Sequence, residues 1–248
     1  MSNFKDHFSS HAAAYASYRP AYPPELADWL ASLVPAREIA LDVGCGSGQL
    51  SLLLAERFSQ VVATDPSPQQ IDSAVAHPRI DYRVAPAEAS GLTDGSIDLL
   101  TAAQAAHWFD LPAFFAETRR LLKPDGVIAL ISYARLKTEG DIEEIVERFR
   151  LVTLEDYWPP ERALVENDYR DIRLPFTPID VPAFTIEVQW PLAALVGYLD
   201  TWSAVRALEK ASGRAAFDAV VDDLTAHWGD PTMTRTISWP LTIIAGRS

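Results

Sequence analysis

The sequence predicts an α/β protein built around a parallel sheet, and two observations carry the prediction. Between residues 39 and 132, short runs of β-branched apolar residues alternate with amphipathic stretches, a pattern typical of successive βα units. The second observation is a glycine-rich turn, Gly44-Cys45-Gly46-Ser47-Gly48, which follows the first apolar run and precedes an amphipathic stretch. Open α/β sheets bind ligands beside such strand-to-helix turns. The five predicted strands span residues 39–43, 61–64, 80–84, 97–102 and 127–132.

Two helices are predicted between these strands. The first carries apolar residues at i, i+3, i+4 and i+8 from Leu50, a stripe that would pack on the sheet. The second runs from about residue 112 to residue 122. It ends before Lys123-Pro124-Asp125-Gly126, because a lysine followed by proline and glycine marks a helix end.

The segments on either side of this core are expected to be mostly helical. Aromatic residues and prolines between residues 4 and 34 predict two short helices around a proline turn. Pro240 lies inside the last apolar run, which predicts a bulge or a strand break there, because proline cannot donate a hydrogen bond to a sheet. The later region is predicted to contain helices at 141–157, 192–209 and 213–227, a proline-rich loop at 159–182, and strands at 184–190 and 234–244.

The composition narrows the classes of function. With 21 basic and 34 acidic residues the net charge is −13, which disfavours nucleic acid and acidic membrane surfaces as partners. Cys45 is the single cysteine, so no internal disulfide can form and a reducing compartment is expected. No apolar run reaches a membrane-spanning length, and the polar start at residues 1–11 lacks the apolar core of a signal peptide, so we expect a cytoplasmic protein. The five histidines lack metal-ligand spacing, and no metal site is predicted.

A carboxylate, Asp65, ends the second predicted strand. At this position an acidic side chain can accept hydrogen bonds from ribose hydroxyls, as it does in dinucleotide-binding folds. The alternative is that Asp65 caps the next helix, since Pro66 and Ser67 follow it. The glycine spacing is G-x-G-x-G with Gln49 next, whereas dinucleotide sites show G-x-G-x-x-G. The pattern therefore indicates a nucleotide-like ligand and argues against a dinucleotide.

The glycine turn, Asp65, the pair Ala87-Glu88 and the segment Leu121-Leu122-Lys123-Pro124-Asp125-Gly126 together resemble a class I S-adenosylmethionine-dependent methyltransferase with a type 11 methyltransferase domain. The resemblance covers about residues 39–132. It implies a Rossmann-like three-layer α/β/α sandwich whose seven-stranded sheet is mostly parallel, with the last strand antiparallel. It also implies an N-terminal helical cap and a helical insertion late in the chain.

The same resemblance implies S-adenosylmethionine as cofactor and S-adenosylhomocysteine as product. The glycines would lie under the methionine and ribose portions, Asp65 would bind the ribose hydroxyls, and Ala87 and Glu88 would lie beside the adenine. Pro86 stands where many relatives have aspartate, so the adenine contact is expected from the backbone N–H of Ala87. The cofactor-binding residues implied are Arg19, Asp42, Gly44, Cys45, Gly46, Gly48, Asp65, Pro66, Ala87, Glu88, Ala103 and Gln104.

A narrower resemblance lies outside this core. Segments 15–23, 106–110 and 198–203 are similar to the trans-aconitate methyltransferase-like group. This implies O-methylation of a small molecule, often a carboxylic acid, with the N-terminal segment closing over the cofactor. Arg19 could pair with the cofactor carboxylate or with an acidic substrate, since its planar fork suits either. The candidate substrate residues are Tyr15, Tyr18, Tyr22, His107, Trp108 and Trp202.

His107 is the candidate catalytic residue, because it follows the fourth strand and can titrate near neutrality. The alternative is that it packs as a neutral side chain. A carboxylate acceptor is already ionised at neutral pH and needs no base, whereas a phenol or an alcohol needs one. For Trp202 the alternative is core packing on a helix.

The sequence predicts a single domain with three parts: a cap or lid at residues 1–36, a cofactor-binding core at 37–135, and acceptor-side helices with the last two strands at 136–248. The methyl acceptor is expected to be a small molecule. A nicotinamide-dependent oxidoreductase is the alternative enzyme, disfavoured by the glycine spacing and by the lack of a Tyr-x-x-x-Lys pattern. A non-catalytic protein that binds S-adenosylmethionine is a third reading.

Overall fold

The computed structural model describes residues 18–248. Tyr15 and the first predicted N-terminal helix lie outside these residues. The strands are β1 (Ile39–Val43), β2 (Gln60–Asp65), β3 (Ile80–Val84), β4 (Ile97–Ala103), β5 (Leu122–Ser132), β6 (Thr177–Ile179), β7 (Thr185–Trp190), β8 (Arg235–Pro240) and β9 (Thr242–Arg247). The α-helices are α1 (Pro24–Ser32), α2 (Gln49–Ala55), α3 (Pro68–Asp72), α4 (Leu111–Leu121), α5 (Asp141–Arg148), α6 (Arg162–Glu166), α7 (Leu192–Asp200), α8 (Ser203–Ser212) and α9 (Ala215–Trp228).

Seven of the strands in residues 18–248 form one sheet in the order β3-β2-β1-β4-β5-β9-β6. Strands β1 to β5 pair in parallel, β9 runs antiparallel to β5, and β6 pairs antiparallel with β9. The predicted seven-stranded, mostly parallel sheet is confirmed, as are the five predicted strands of the core. This order places the ends of β1 and β4 side by side, which is where open α/β sheets bind ligands.

The prediction of a loop at 159–182 is wrong in part, because this range contains helix α6 and the short strand β6. Pro178 is in the middle of β6, and proline is tolerated there because β6 is the edge strand of the sheet. The break predicted near Pro240 is confirmed. Strand β8 ends at Pro240 and pairs with β7 in a separate two-stranded sheet, whereas β9 crosses to the main sheet after Leu241.

Strand β5 begins five residues earlier than predicted, at Leu122, because the Lys-Pro-Asp-Gly stretch lies inside the strand. The predicted end of helix α4 is close to the observed one at Leu121. Asp125 has a positive φ of 64°. The pairing of β4 with β5 also shifts register between Ile97 and Leu99. The Lys-Pro-Asp-Gly stretch is thus an irregular part of strand β5, where its pairing with β4 shifts. From the sequence alone, the same stretch is predicted to be a loop.

Two apolar clusters cover the two faces of the sheet, as alternation along the buried strands requires. Val127, Ala129 and Ile131 of β5 belong to a cluster with residues of helices α1, α2, α5, α7, α8 and α9, while Ile128 and Leu130 belong to a cluster with residues of helix α4. The result is the three-layer α/β/α sandwich that the sequence predicts.

Two late helices differ from their predicted bounds. The helix predicted at 141–157 changes after Arg148 into a π-turn, Phe149–Thr153, and a 3₁₀ turn, Glu155–Tyr157. The helix predicted at 192–209 is divided into α7 and α8 at Trp202, whose side chain is buried among aromatic rings. Within residues 18–248, no helix is both long enough and apolar enough to cross a membrane.

Candidate active site

A cavity of about 610 Å³ opens at the carboxyl edge of the sheet, where the glycine turn meets the loops after β2, β3 and β4. Side chains from the chain segment before α1 and from the region after β5 complete its wall. Of the residues that the sequence analysis assigned to a cofactor, all but one lie in the lining of this cavity. Those in the lining are Arg19, Asp42, Gly44, Cys45, Gly46, Asp65, Pro66, Ala87, Glu88, Ala103 and Gln104.

The three glycines of the turn have different surroundings, although all have positive φ, at 67°, 55° and 89°. A Cβ on Gly44 would come within 2.5 Å of the Cβ of Ala105, and one on Gly48 would overlap the ring of Tyr82. Around Gly46 the nearest heavy atom would be 3.8 Å away. Gly44 and Gly48 are therefore needed for packing, and Gly46 leaves one side of the turn open for a ligand. Gly48 is the assigned residue that does not line the cavity.

Asp65 is held rigidly at the end of β2. Its Oδ2 accepts a hydrogen bond from the Gly46 N–H at 3.0 Å, and its Oδ1 accepts one from the Ser67 N–H at 2.9 Å. The cap of helix α3 is Ser67, whose Oγ accepts from the N–H of Gln70. Asp65 therefore orders the turn rather than capping the helix, and its carboxylate lies at the cavity wall.

Asp42 lies beneath the turn and is almost fully buried. It accepts hydrogen bonds from Ser51 Oγ at 2.6 Å and from Thr101 Oγ1 at 2.9 Å. Burial nevertheless raises the pKa of Asp42 to about 6, with the nearby Asp65 carboxylate adding to the effect. Cys45 is also buried, which raises the pKa of its thiol, so it is a small inert residue at this turn.

The loops after β3 and β4 are tied to each other. Glu88 Oε1 accepts from the backbone N–H of Asp110 at 3.0 Å, and Asp110 Oδ1 caps helix α4 by accepting from the N–H of Ala113. Gln104, just past β4, adopts a positive φ of 54° and donates from Nε2 to the carbonyl of Tyr133 at 2.7 Å. These contacts fix the shape of the wall around Ala87.

His107 lies behind the wall of the cavity and is not part of its lining. It is buried in the 3₁₀ turn Ala106–Trp108, with Nδ1 3.1 Å from the hydroxyl of Tyr169. Burial and the charge of Arg162 lower the pKa of His107 to about 3, so the ring is neutral at physiological pH. Its neighbour Trp108 does line the cavity. The geometry thus favours the packing alternative for His107.

The candidate residues before α1 are divided between the cavity and its support. Arg19 and Tyr22 line the cavity, whereas Tyr18 packs against Gly197, where a Cβ would overlap its ring. The Arg19 guanidinium lies 5.3 Å from the centroid of the Tyr198 ring. Tyr15 lies outside the described residues.

Trp202 does not line the cavity either. It is buried in an aromatic cluster, with its ring stacked on Phe149 at 6.3 Å and meeting Tyr198 edge-on at 5.8 Å. Tyr198 lies against Arg19, so Trp202 contributes to the position of Arg19 through its contact with Tyr198. The core-packing alternative for Trp202 agrees with this position.

The polar or aromatic residues of the cavity lining that the sequence analysis did not assign to the site include Gln70, Tyr133 and Glu161. Tyr133 directly follows β5, so the strand-end rule that selected Asp65 would also have selected it. Gln70 is one helical turn after Ser67, and its position depends on how α3 packs. Glu161 comes from the region between β5 and β6, where the sequence carries no signal for it.

Comparison with known proteins identifies the family. Residues 41–130 match a family model described as a methyltransferase domain. A candidate methyltransferase of Dictyostelium discoideum is 34% identical over 225 residues, which cover 89% of this chain and 86% of that one. A solved structure of a candidate type II methyltransferase from Anaeromyxobacter dehalogenans is 45% identical, with a TM-score of 0.87, and covers 93% of this chain and 98% of that one. A shorter match, 32% identical over 120 residues and covering 46% of this chain and 44% of that one, is to malonyl-(acyl-carrier protein) O-methyltransferase of Serratia marcescens.

The chain belongs to the class I S-adenosylmethionine-dependent methyltransferases. It is therefore an enzyme, and its cofactor is S-adenosylmethionine. The site of this methyltransferase fits that cofactor: Gly46 leaves an open side where a ligand can approach the backbone, and Asp42 and Asp65 place carboxylates in the cavity wall, where they can accept hydrogen bonds. Within residues 18–248, no group of three or more histidine, cysteine or acidic side chains is arranged to hold a metal ion.

Proposed function

We propose that this methyltransferase transfers the methyl group to a small molecule, and that the acceptor atom is a carboxylate oxygen. The observation that carries the proposal is the position of His107, which stays neutral and faces Tyr169 instead of the cavity. An acceptor that receives no help from a base must already be nucleophilic at neutral pH, and a carboxylate meets that condition.

The size and charge of the site favour a small acceptor. A cavity of about 610 Å³ falls in the range that small ligands and cofactors occupy. The net charge of −13 disfavours a nucleic acid acceptor. The similarity to an O-methyltransferase from Serratia marcescens agrees with oxygen as the acceptor atom. The resemblance of segments 15–23, 106–110 and 198–203 to the trans-aconitate methyltransferase-like group implies the same.

We assign the cofactor half of the cavity by residue. Asp65 accepts hydrogen bonds from the ribose hydroxyls, the Ala87 N–H and the neighbouring Pro86 and Glu88 enclose the adenine, and Asp42 with the glycine turn holds the methionine portion. Arg19 pairs with a carboxylate, either that of the cofactor or that of the acceptor.

The reaction requires alignment more than acid–base chemistry. The bound cofactor supplies an electrophilic methyl group on a sulfonium sulfur. Tyr22, Trp108 and Tyr133 line the other part of the cavity and would hold the acceptor against that methyl group while excluding water. Holding two reactants in line is worth an effective molarity of about 10⁵ to 10⁸ M, which is enough to account for methyl transfer without a base.

We further propose that the chain works as one domain, with residues 1–36 as a cap, 37–135 as the cofactor-binding core and 136–248 as the acceptor side. One continuous apolar cluster supports this division of labour within a single unit. It contains Leu26 and Leu30 of α1, Leu54 of α2, and Leu195 and Trp239 from the later region.

A second reading is favoured by Glu161, which lines the cavity on the acceptor side. A carboxylate in the wall would repel an acid and would accept a proton or hydrogen bond from a phenol or an amine. Labelled-methyl transfer to matched panels of carboxylic acids, phenols and amines separates the two readings. We expect label in base-labile methyl esters; label confined to phenol ethers or to methylamines would refute carboxylate methylation.

A further inference from the structure

Gln70 is a buried polar side chain in the wall of the cavity. Only 4% of its surface is exposed, and its Oε1 has no hydrogen-bond partner among residues 18–248. Burying an amide oxygen without a hydrogen-bond partner destabilises a folded protein. A residue that only filled space here would be better apolar, and methionine has almost the same length and shape. The carboxamide therefore points to a partner that arrives with a ligand.

The surroundings of Gln70 indicate which part of the ligand it meets. Its Oε1 lies 3.8 Å from the position that a Cβ on Gly46 would take, on the open side of the glycine turn. The N–H of Gly46 donates to Asp65, so the carboxylate and the carboxamide flank the same glycine. The backbone N–H of Gln70 is bound to the cap residue Ser67, which fixes the start of the side chain at this place.

We propose that Gln70 is a second ribose-binding residue, whose carboxamide hydrogen-bonds a ribose hydroxyl of the cofactor beside Asp65. Each ribose hydroxyl can donate one hydrogen bond and accept another, so an aspartate alone does not satisfy both groups. A carboxamide supplies an acceptor and two donors. The adenine is assigned to the opposite loop around Ala87, and the methionine portion to Asp42, which leaves the ribose for Gln70.

This inference rests on the assignment of Asp65 to the ribose but not on the nature of the methyl acceptor. It can therefore be tested by cofactor-product binding alone, in the absence of any acceptor. Gln70→Met keeps the length of the side chain and removes its polar atoms. Gln69→Met is the matched control, because Gln69 is the exposed neighbour on the same short helix and does not line the cavity.

The first measurement is calorimetric titration of S-adenosylhomocysteine into the full-length protein and both variants. We expect Gln70→Met to bind about five- to tenfold more weakly, the effect of one neutral hydrogen bond, and Gln69→Met to bind within about twofold of the parent. The melting temperature of free Gln70→Met should equal or exceed that of the parent, because a buried unpartnered amide has been removed. Unchanged affinity in Gln70→Met would overturn the proposal.

The second measurement identifies the ligand group. The 2′-deoxy and 3′-deoxy forms of S-adenosylhomocysteine are titrated into the parent and into Gln70→Met. If Gln70 binds a ribose hydroxyl, one of the two deoxy forms loses affinity in the parent but loses about five- to tenfold less in the variant. If both deoxy forms lose the same affinity in the two proteins, Gln70 does not bind the ribose. Asp65→Ala measured with the same ligands tests the Asp65 assignment separately.

Discussion

The part of the cavity that we assign to the cofactor and the part that we assign to the methyl acceptor, here called the acceptor wall, are built in different ways. The part assigned to the cofactor lies mainly in the turns that follow β1, β2 and β3, where backbone groups are held in place by side chains, as the Gly46 N–H is by the Asp65 carboxylate. The acceptor wall consists of side chains that come from distant parts of the chain, including Tyr22 and Glu161. The first depends on the sheet, and the second depends on how other segments pack against it.

This difference explains why one end of the cavity can be assigned to a ligand and the other only to a class of ligand. A parallel sheet brings the ends of its strands to one edge whatever the side chains are, so the ligand-binding position follows from topology. The acceptor wall has no such rule, because each of its side chains is placed by its own local packing. Substitutions at the two ends should therefore differ in size and in what they change.

The largest effect is expected at Asp65. Asp65→Ala removes the carboxylate that we assign to the ribose, where each charge-assisted hydrogen bond would be worth about 1.5–3 kcal/mol, and frees the Gly46 and Ser67 N–H groups that the carboxylate holds. We expect the affinity for S-adenosylhomocysteine to fall by at least about 100-fold in calorimetry. Asp81→Ala is the control, since Asp81 pairs with Arg83 on strand β3 away from the cavity. Equal affinity in the parent and Asp65→Ala would remove Asp65 from the cofactor site.

The second effect concerns the stability of the protein in acid, which depends on His107 behind the cavity wall. The pKa of His107 is lowered to about 3 in the folded protein, against about 6.5 when unfolded. The unfolded chain therefore binds the proton first, and the stability that neutral His107 contributes is complete above pH 6.5 and is lost as pH falls towards 3. Relative to His107→Gln, the parent should lose up to about 3 kcal/mol between pH 7 and pH 4.5.

Urea denaturation of both proteins at pH 7, 5.5 and 4.5 measures this difference. Groups that titrate in both proteins cancel in the comparison, so the change with pH reports residue 107. A constant difference across the three pH values would mean that His107 is accessible to protons in the folded state. In that case its role as a base would return to consideration.

The third effect contrasts two buried aspartates at the sheet. Burial raises the pKa of Asp42 to about 6, above its usual value of 3.8, so the ionised carboxylate opposes folding above pH 6. Asp42→Asn should therefore stabilise the free enzyme at pH 7 by up to about 3 kcal/mol, and the gain should disappear as pH falls below about 4. The same variant should bind S-adenosylhomocysteine more weakly, since Asp42 lines the cavity and is assigned to the cofactor.

Asp98→Asn should change the stability at pH 7 in the opposite direction. Asp98 is equally buried, but it pairs with Lys123 at 3.0 Å and accepts from the N–H groups of Glu38 and Ile39. Removing its charge leaves Lys123 with only the exposed Glu38 as an ion-pair partner and should lower the melting temperature at pH 7. If Asp42→Asn also lowers the melting temperature at pH 7, the carboxylate of Asp42 is stabilised by interactions beyond those with Ser51 and Thr101.

The sequence predicts where strands β1 and β2 end for a physical reason. Strand periodicity and the glycine turn locate the ends of β1 and β2, and these ends determine where Asp42 and Asp65 lie. The sequence does not predict which way successive residues point once the strand is over. His107 and Trp108 are adjacent in one 3₁₀ turn, yet Trp108 lines the cavity and His107 points away from it towards Tyr169.

Other differences between the sequence predictions and the structure also arise in segments that the strand pattern does not determine. Gln70 lies in the first turn of the short helix α3, which begins at Pro68, and Glu161 lies in a proline-rich turn just before α6. Neither feature leaves a periodic signal in the sequence. The strand β6 has only three residues with a proline among them. Tyr198 and Trp202, selected as a motif, lie in the layer beneath Arg19, which shows that a motif can identify the support of a site as readily as the site itself.

The smallest effect is expected at Glu161, and it bears on the acceptor end alone. If the acceptor is a carboxylate, Glu161→Gln removes a like charge from the wall. At an effective dielectric constant near 20 such a repulsion amounts to about 1–2 kcal/mol, so the Michaelis constant for acid acceptors should fall by about fivefold or more. The affinity for S-adenosylhomocysteine should stay within about twofold of the parent, because Glu161 is assigned to the acceptor side. Glu155→Gln, an exposed residue nearby in the chain and outside the cavity lining, is the control. A fall in kcat with acids, together with loss of activity on phenols or amines, would instead make Glu161 a proton acceptor and would end the carboxylate proposal.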